Sequence, residues 1–382
     1  MNVIAIDTSC DDASVAVSEN ERLLANVIHS QVEEHSFWGG VVPSLAKRQH
    51  QEHIDATIEA ALKRAGIRAT DLDVVAVTTG PGLAVALEVG VAKAKELSRK
   101  YGLKIVEVNH MAGHIWASFA RNRRGSFFSN MHETTESERY PFLAVLISGG
   151  HTELVKVRGE DNFVVLGRTK DDALGEAYDK VARMLNLGYP GGPIIEKLAM
   201  EGDRLAYEFP VSMRDGGLDL SYSGLKTAVL RKVQLLGEES LSYRDKYMEN
   251  LKKVDNAGLD YTPALSTKPM YLLDRSTMLN VAASFEYAAT AQLVYKLKKC
   301  LEVHKDLKYV VLGGGVVNNK YVRRCLRDVC RKFAKPMIYP KSPKLMMDNA
   351  GMVAVAGSIR AKMGLLVEAE SLDRRPGWEL GS

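Results

Sequence analysis

Two stretches of this chain, 140 residues apart, read as the same unit. Residues 3–17, VIAIDTSCDDASVAV, and residues 143–157, LAVLISGGHTELVKV, each run an apolar strand into a tight polar turn and out along a second strand. A repeated supersecondary unit constrains a fold more than composition does, because each copy must occupy an equivalent place. Each hairpin also heads an α/β run. The expectation is therefore an α/β chain with two related lobes facing one another across a cleft, both turns directed into it. At 382 residues, 46% of them hydrophobic, the chain is long enough for two such cores.

Between the hairpins, DVVAVTTGPG reads as a strand ending in a glycine turn, and LAVALEVGVAKAKELSRKYG as an amphipathic helix closed by basic residues and a glycine. The strand KIVEVNH feeds into HMAGH, which sets His110 and His114 four apart. On a helix they share a face, at the carboxyl end of a strand where open α/β sheets collect ligands. That spacing permits a shared metal ion and equally permits two structural side chains. Ser148, Gly149 and Gly150 follow a buried strand as a plausible phosphate cradle. The opposing turn carries Asp7, Asp11 and Asp12, which fit a cation, an activated water or amine, or plain turn capping. A third glycine turn, Gly313 to Gly315, precedes Asn318 and Asn319 and suits a nucleotide's sugar and base, with Asn319 hydrogen-bonding. Asp179 reads as a ribose acceptor or as an exposed helix carboxylate. Asp348, at the mouth of a small-residue helix, reads on its own as an N-cap. Three glycine turns at strand ends in two matched lobes outline the nucleotide cleft of the actin, hexokinase and Hsp70 superfamily.

Composition excludes more than it identifies. The chain has 51 basic and 47 acidic side chains and a formal charge of +4, which suits a polyanionic partner without requiring one. Arg323, Arg327 and Arg331, at i, i+4 and i+8, and the run from Lys93 to Lys104 are candidate phosphate contacts or solvated faces. The four cysteines form no C-x-x-C pair, which points to a reducing compartment and away from all-cysteine zinc. The longest apolar run is broken by Gly-Pro-Gly and a glutamate, so no membrane span is expected. The chain opens directly on a strand, leaving no expected signal or transit peptide. Residues 120–140 and about 236–278 are polar or turn-rich and read as surface insertions. The expected domains are a first lobe at 1–135, a second at 136–360 carrying the insertion at about 236–278, and a tail at 361–382.

In order and spacing, the segments IDTSCDD, GGVVPSLAKRQH, TGPGL, HMAGH, ISGGHTEL, DDALGEAYDK, YPGGP, SYSGLKTAV, GGGVVNN and DNAGMVA resemble the TsaD family of tRNA N6-adenosine threonylcarbamoyltransferases. The match runs from Met1 to the closing RRPGWEL, broken only by the two insertions. TSCDD resembles the bacterial and mitochondrial branch, and the insertions look more like the mitochondrial members. The resemblance implies transfer of a threonylcarbamoyl group from threonylcarbamoyl-AMP to N6 of the anticodon-adjacent adenosine, position 37, in tRNAs that read ANN codons. It implies His110, His114 and Asp348 as ligands of one divalent metal per subunit, iron or zinc, with magnesium or manganese as alternatives. It places the adenylate on Leu146, Ile147, Ser148, Gly149 and Gly150 with Asp179, Gly192, Glu196 and Asn319. Asp11 or Asp12 is the candidate base. At 196 bacterial relatives often have aspartate, and Asp11 and Asp12 shorten positions that are commonly glutamate. The implied partners are tRNA, an upstream threonylcarbamoyl-AMP synthase and a second copy in a homodimer. The implied compartment is the mitochondrial matrix, or the cytoplasm if the source is bacterial. A zinc peptidase of the H-E-x-x-H type is disfavoured because Met111 stands where the glutamate would be. A small-molecule kinase or carbamoyltransferase of the same fold is the alternative reading.

Overall fold

A computed structural model describes residues 1–36, 40–213, 217–238 and 273–381. The insertion expected at about 236–278 lies outside the described residues except at its ends. Strands β1 (Asn2–Asp7), β2 (Asp12–Glu19), β3 (Arg22–Ser30), β4 (Val74–Gly80) and β5 (Lys104–Asn109) form one sheet in the order β3-β2-β1-β4-β5. Strands β6 (Phe142–Ile147), β7 (Thr152–Gly159), β8 (Asn162–Arg168), β9 (Val310–Gly313) and β10 (Met337–Ile338) form the other, in the order β8-β7-β6-β9-β10.

The two orders are the same. In each sheet the first strand pairs antiparallel with the second and parallel with the fourth. The repeated hairpins of the sequence are thus the matched starts of two sheets with one topology. The segment 120–140 is less loop-like than expected, because Arg121 bridges to Arg22 and Phe127, and Met131 is buried.

Strand residues alternate between two cores. In β1, Val3 and Ala5 face inward while Ile4 and Ile6 face outward, and in β6, Ala144 and Leu146 face inward while Leu143, Val145 and Ile147 face outward. Both faces of these strands are covered, which explains their unbroken apolar runs. The outward face of the first sheet packs on the helices Pro43–Ala65 and Ala84–Tyr101, and that of the second on Leu174–Met184, Arg275–Val303 and Lys320–Lys332. Between the inward faces lie the helices His110–Trp116 and Ala350–Lys362. The second of these packs on the first sheet, although it follows the second sheet in the chain. Its small residues permit the close approach: a methyl at Gly357 would collide with Ala76 of β4. No helix among the described residues is long and apolar enough to cross a membrane.

Candidate metal centre and nucleotide cleft

β5 delivers its last residue, Asn109, as the cap of the helix His110–Trp116. The Asn109 side chain accepts from the amides of Met111 and Ala112 at 2.9 and 3.2 Å. This fixes the first turn, so His110 and His114 point the same way. Opposite, Asn349 caps the helix Ala350–Lys362 by accepting from Met352 N. The N-cap reading of Asp348 is therefore displaced by one residue, and the Asp348 side chain is left to face the histidines.

His110 Nε2 and His114 Nε2 lie 3.3 and 3.1 Å from the same Asp348 oxygen. One ligand atom from each of the three residues falls within 4.8 Å of the others. Both histidines are buried, and the Nδ1 atoms of both lack a hydrogen-bond partner. Asp7 Oδ2 stands 3.6 Å from His110 Nδ1, where it orients that ring. Burial alone would raise the Asp348 carboxyl, yet the two imidazoles hold it well below the usual range. Burial likewise opposes a proton on His110, but Asp348 and Asp7 overcome it and lift that ring to about 10. His114, wholly buried beside His110, is pushed down. Two imidazoles and one carboxylate whose donor atoms converge in this way fit a divalent cation, and the donor set suits iron or zinc equally.

The acidic turn sits beside this triad. Asp12 is pushed up to about 7 by burial and by Asp11 and Asp348, against a hydrogen bond with Ser30. Asp11 is also raised, chiefly by burial. Beneath the turn, His50 Nε2 lies 3.0 Å from the Cys10 carbonyl, and its Nδ1 meets Gln31, which reaches on to His35. The sequence reading missed this buried relay, although His50 belongs to one of the quoted segments.

A cavity of about 420 Å³ opens on the other side of the Ser148–Gly150 turn. Gly149, Asp179, Gly192, Glu196 and Asn319 all line it, with apolar walls that include Tyr178, Pro193 and Met347. Five of the nine expected adenylate residues thus meet in one pocket. Leu146 and Ile147 are fully buried and support the turn from behind. Ser148 uses its amide on the His151 carbonyl and its hydroxyl on the His151 amide, which leaves the exposed Gly149 and Gly150 to face an anion. Asn319 is committed as well. Its oxygen caps the helix Lys320–Lys332 through Val322 N, and its amide donates to the wholly buried Glu286 at 2.8 Å. Asn319 therefore shapes the pocket wall rather than offering a free carboxamide. Asp179 accepts from Gly191 N and Glu196 from Lys320 N, so both carboxylates also brace the pocket. Glu286 was missed; its signal was a lone acid within the apolar run VAASFEYAATAQL.

The arginine stripe is not a uniform face. Arg323 binds the carbonyls of Val317 and Asn318, Arg327 donates to the Tyr339 hydroxyl, and Arg331 is exposed.

A family model for tRNA N6-adenosine threonylcarbamoyltransferase, TsaD, matches residues 22–355. The protein of that name from Staphylococcus carnosus is 39% identical over 365 residues, covering 95% of this chain and 92% of its own. That from Thermodesulfovibrio yellowstonii is 40% identical over 357 residues, covering 94% and 93%. Among solved structures, full-length HypF in a phosphate- and nucleotide-bound form aligns with a TM-score of 0.56 at 14% identity, over 95% of this chain and 55% of that one. That likeness is one of fold, and it carries the two-lobed actin-like architecture. Sequence identity over nearly the whole length carries more: this chain belongs to the TsaD family of tRNA N6-adenosine threonylcarbamoyltransferases.

Proposed function

We propose that this protein transfers a threonylcarbamoyl group from threonylcarbamoyl-AMP to N6 of adenosine 37 in tRNAs reading ANN codons. The observation that carries the reading is the convergence of His110, His114 and Asp348 at a glycine turn whose other side walls a nucleotide-sized cavity. The adenylate occupies that cavity, its phosphate against Gly149 and Gly150 and its sugar near Asp179 and Glu196. His110, His114 and Asp348 hold the metal, which supplies Lewis-acid polarisation when bound.

The donor is a mixed anhydride with a good leaving group, so orientation and charge stabilisation outweigh covalent catalysis. The N6 lone pair forms a bond to the carbamoyl carbon, the bond from that carbon to the phosphate oxygen breaks, and AMP departs with the electron pair. The amine proton passes to a base, for which half-buried Asp12, held near neutrality, is suited. Asp11 lies next to it and shares the role of local negative charge.

Iron or zinc, a homodimer and a donor supplied by a separate synthase complete the proposal. The relatives named above are bacterial, which supports a cytoplasmic setting over the mitochondrial matrix. The lobes divide near residue 135, with 136–360 as the second lobe, 361–382 as the tail, and Ala350–Lys362 returning across the cleft. The test incubates the metal-loaded protein with threonylcarbamoyl-AMP and an unmodified ANN-reading tRNA. Modified nucleoside and AMP appearing in equal amounts, both lost in His110→Ala, is the expected result. ATP turnover that proceeds without tRNA, in place of transfer, overturns it in favour of a kinase of this fold.

A further inference from the structure

A second cavity, of about 280 Å³, adjoins the metal triad across the same turn: Gly149 lines the nucleotide pocket, and Gly150 lines this one with Met111 and His151. Its floor is the inward face of β7 and β8. Glu153 pairs across the strands with Leu146 on one side and Arg168 on the other, so the Glu153 and Arg168 side chains share the face that Leu146 turns toward the first sheet. Its cover is the C-terminal segment around Trp378, which none of the assignments above uses. That segment is pinned at three points: Arg375 N to the Thr79 carbonyl, Gly82 N to the Pro376 carbonyl, and Asn109 Nδ2 to the Trp378 carbonyl at 2.9 Å. Asn109 also caps the histidine helix, so one side chain fixes both the metal ligands and the cavity cover.

Within the cavity, Glu153 is unusual. It is 8% exposed, and its Oε2 has no hydrogen-bond partner. Arg168 approaches the other oxygen no closer than 4.0 Å, because Glu379 holds its guanidinium at 2.6 Å. Burial pushes the Glu153 carboxyl up against the pull of Arg168. An unsatisfied buried oxygen costs free energy, and it points to a guest that supplies the missing partner. The mouth indicates what kind of guest. Trp378 lines it, and beyond the lining the Arg375 and Arg360 guanidinium groups lie 4.1 and 5.8 Å from the centre of its ring. Flat aromatic surface combined with arginine is how proteins hold unstacked bases and their phosphates.

We propose that this cavity receives the acceptor base of the tRNA: a purine swung out of its stack, its ring against Trp378, and its exocyclic amine, the one hydrogen-bond donor on an adenine's edge, donating to Glu153 Oε2 beside Gly150 and His151. The inference rests on the acyl-transfer reading above and extends it to the acceptor side. Chemistry on a base requires its removal from the stack. The donor fills the pocket across the turn, so the amine must arrive from a different direction. The competing occupant is the threonyl end of the donor, whose carboxylate would meet Glu153 as a like charge.

The test compares Trp378→Ala, Trp378→Leu, Trp378→Phe and Glu153→Ala with the parent, all metal-loaded and full length. Donor affinity is measured by calorimetry with threonylcarbamoyl-AMP, and the folding of each variant is checked separately by thermal unfolding. Transfer kinetics are measured against tRNA concentration. Trp378→Ala and Glu153→Ala are expected to raise KM for tRNA by about tenfold or more, the loss of one stacking or edge contact, with donor affinity within about twofold of the parent. Trp378→Phe recovers most of the loss. An unchanged KM in Trp378→Ala and Glu153→Ala overturns the proposal, as does, if the alanine variants fail to bind donor, an unchanged KM in a Trp378→Leu variant that keeps apolar bulk without a flat ring. So does a parallel fall in donor affinity among folded variants, which assigns the cavity to the threonyl group. A parent protein that transfers nothing to any tRNA instead overturns the acyl-transfer reading itself.

Discussion

Gly175 tests whether the Ser148–Gly150 turn must stand where it does. It is the second residue of the helix Leu174–Met184, and a Cβ built there would lie 2.6 Å from the Ser148 carbonyl oxygen and 2.9 Å from Gly149 Cα. Ordinary contact begins at 3.4 Å, so in Gly175→Ala the turn must retreat by about 0.8 Å. Both neighbours are backbone, and no rotamer change relieves the clash. Overpacking of this kind costs about 1–3 kcal/mol, partly offset by about 0.5–1 kcal/mol from replacing glycine in a helix. The net loss of about 1–2 kcal/mol lowers Tm by a few degrees. The loss of function is larger, because a misplacement near 1 Å can cost about a hundredfold in rate. Transfer should fall about 10- to 100-fold, read as labelled threonine incorporated into tRNA, and the donor Kd should rise about tenfold by calorimetry. Gly149→Ala is the matched control, since its Cβ meets nothing within 4 Å in the protein alone. That variant should keep the parental Tm and still lose donor affinity, because the methyl obstructs only the ligand's approach. Parental donor affinity in both variants would refute the phosphate cradle.

Three further outcomes follow from the site. Asp348→Ala removes the oxygen on which both histidines converge, so bound metal should fall below about one-tenth of an equivalent by elemental analysis; dialysis against a chelator should likewise abolish transfer, with activity restored by a divalent cation. Asp12, folded near 7 against 3.8 when free, favours the fold below about pH 4 and loses that contribution as pH rises through 7; Asp12→Asn should therefore raise the stability of the metal-free protein at pH 8, by at most about 4 kcal/mol, and leave it nearly unchanged at about pH 3.5. Glu286→Ala strips Asn319 of its acceptor and leaves Arg204, 3.3 Å away, without its buried partner; chemical denaturation should show a loss of about 2–3 kcal/mol, with weaker donor binding as the pocket wall relaxes.

What the sequence made legible was local. Alternating apolar strands followed by glycine or acidic turns identified both hairpins, because strand period and turn chemistry operate within a dozen residues. The i, i+4 spacing of His110 and His114 is legible for the same reason. Their partner came from the family resemblance and not from spacing, since Asp348 lies 234 residues from His114 and the adjacent Asn349 is an equally good cap by composition. Only tertiary placement decides which of the two caps the helix and which turns outward. The polar interior was hidden similarly. Asn319 looks like a free ligand in GGGVVNN, but its oxygen serves its own helix and its amide serves Glu286, a residue on a different helix.

The placement of Ala350–Lys362 connects these observations. The segment follows the second sheet in sequence and packs on the first, so Asp348 is held by a helix seated against β1 and β4, beside the histidine helix that follows β5. The three proposed ligands are thus anchored on one side of the cleft. The Ser148–Gly150 turn, the Asp179 helix and the Asn319 helix belong to the other. A donor bound by the second set must present its acyl group to the first, and any change in the angle between the sheets alters that distance. The C-terminal segment limits such change: it is bonded to Thr79, Gly82 and Asn109 on the first side, and through Glu379 to Arg168 on the second. Arg168→Ala removes the second attachment while leaving every proposed ligand in place. It should therefore slow transfer more than it weakens donor binding, an inequality that separate measurement of kcat and Kd would reveal.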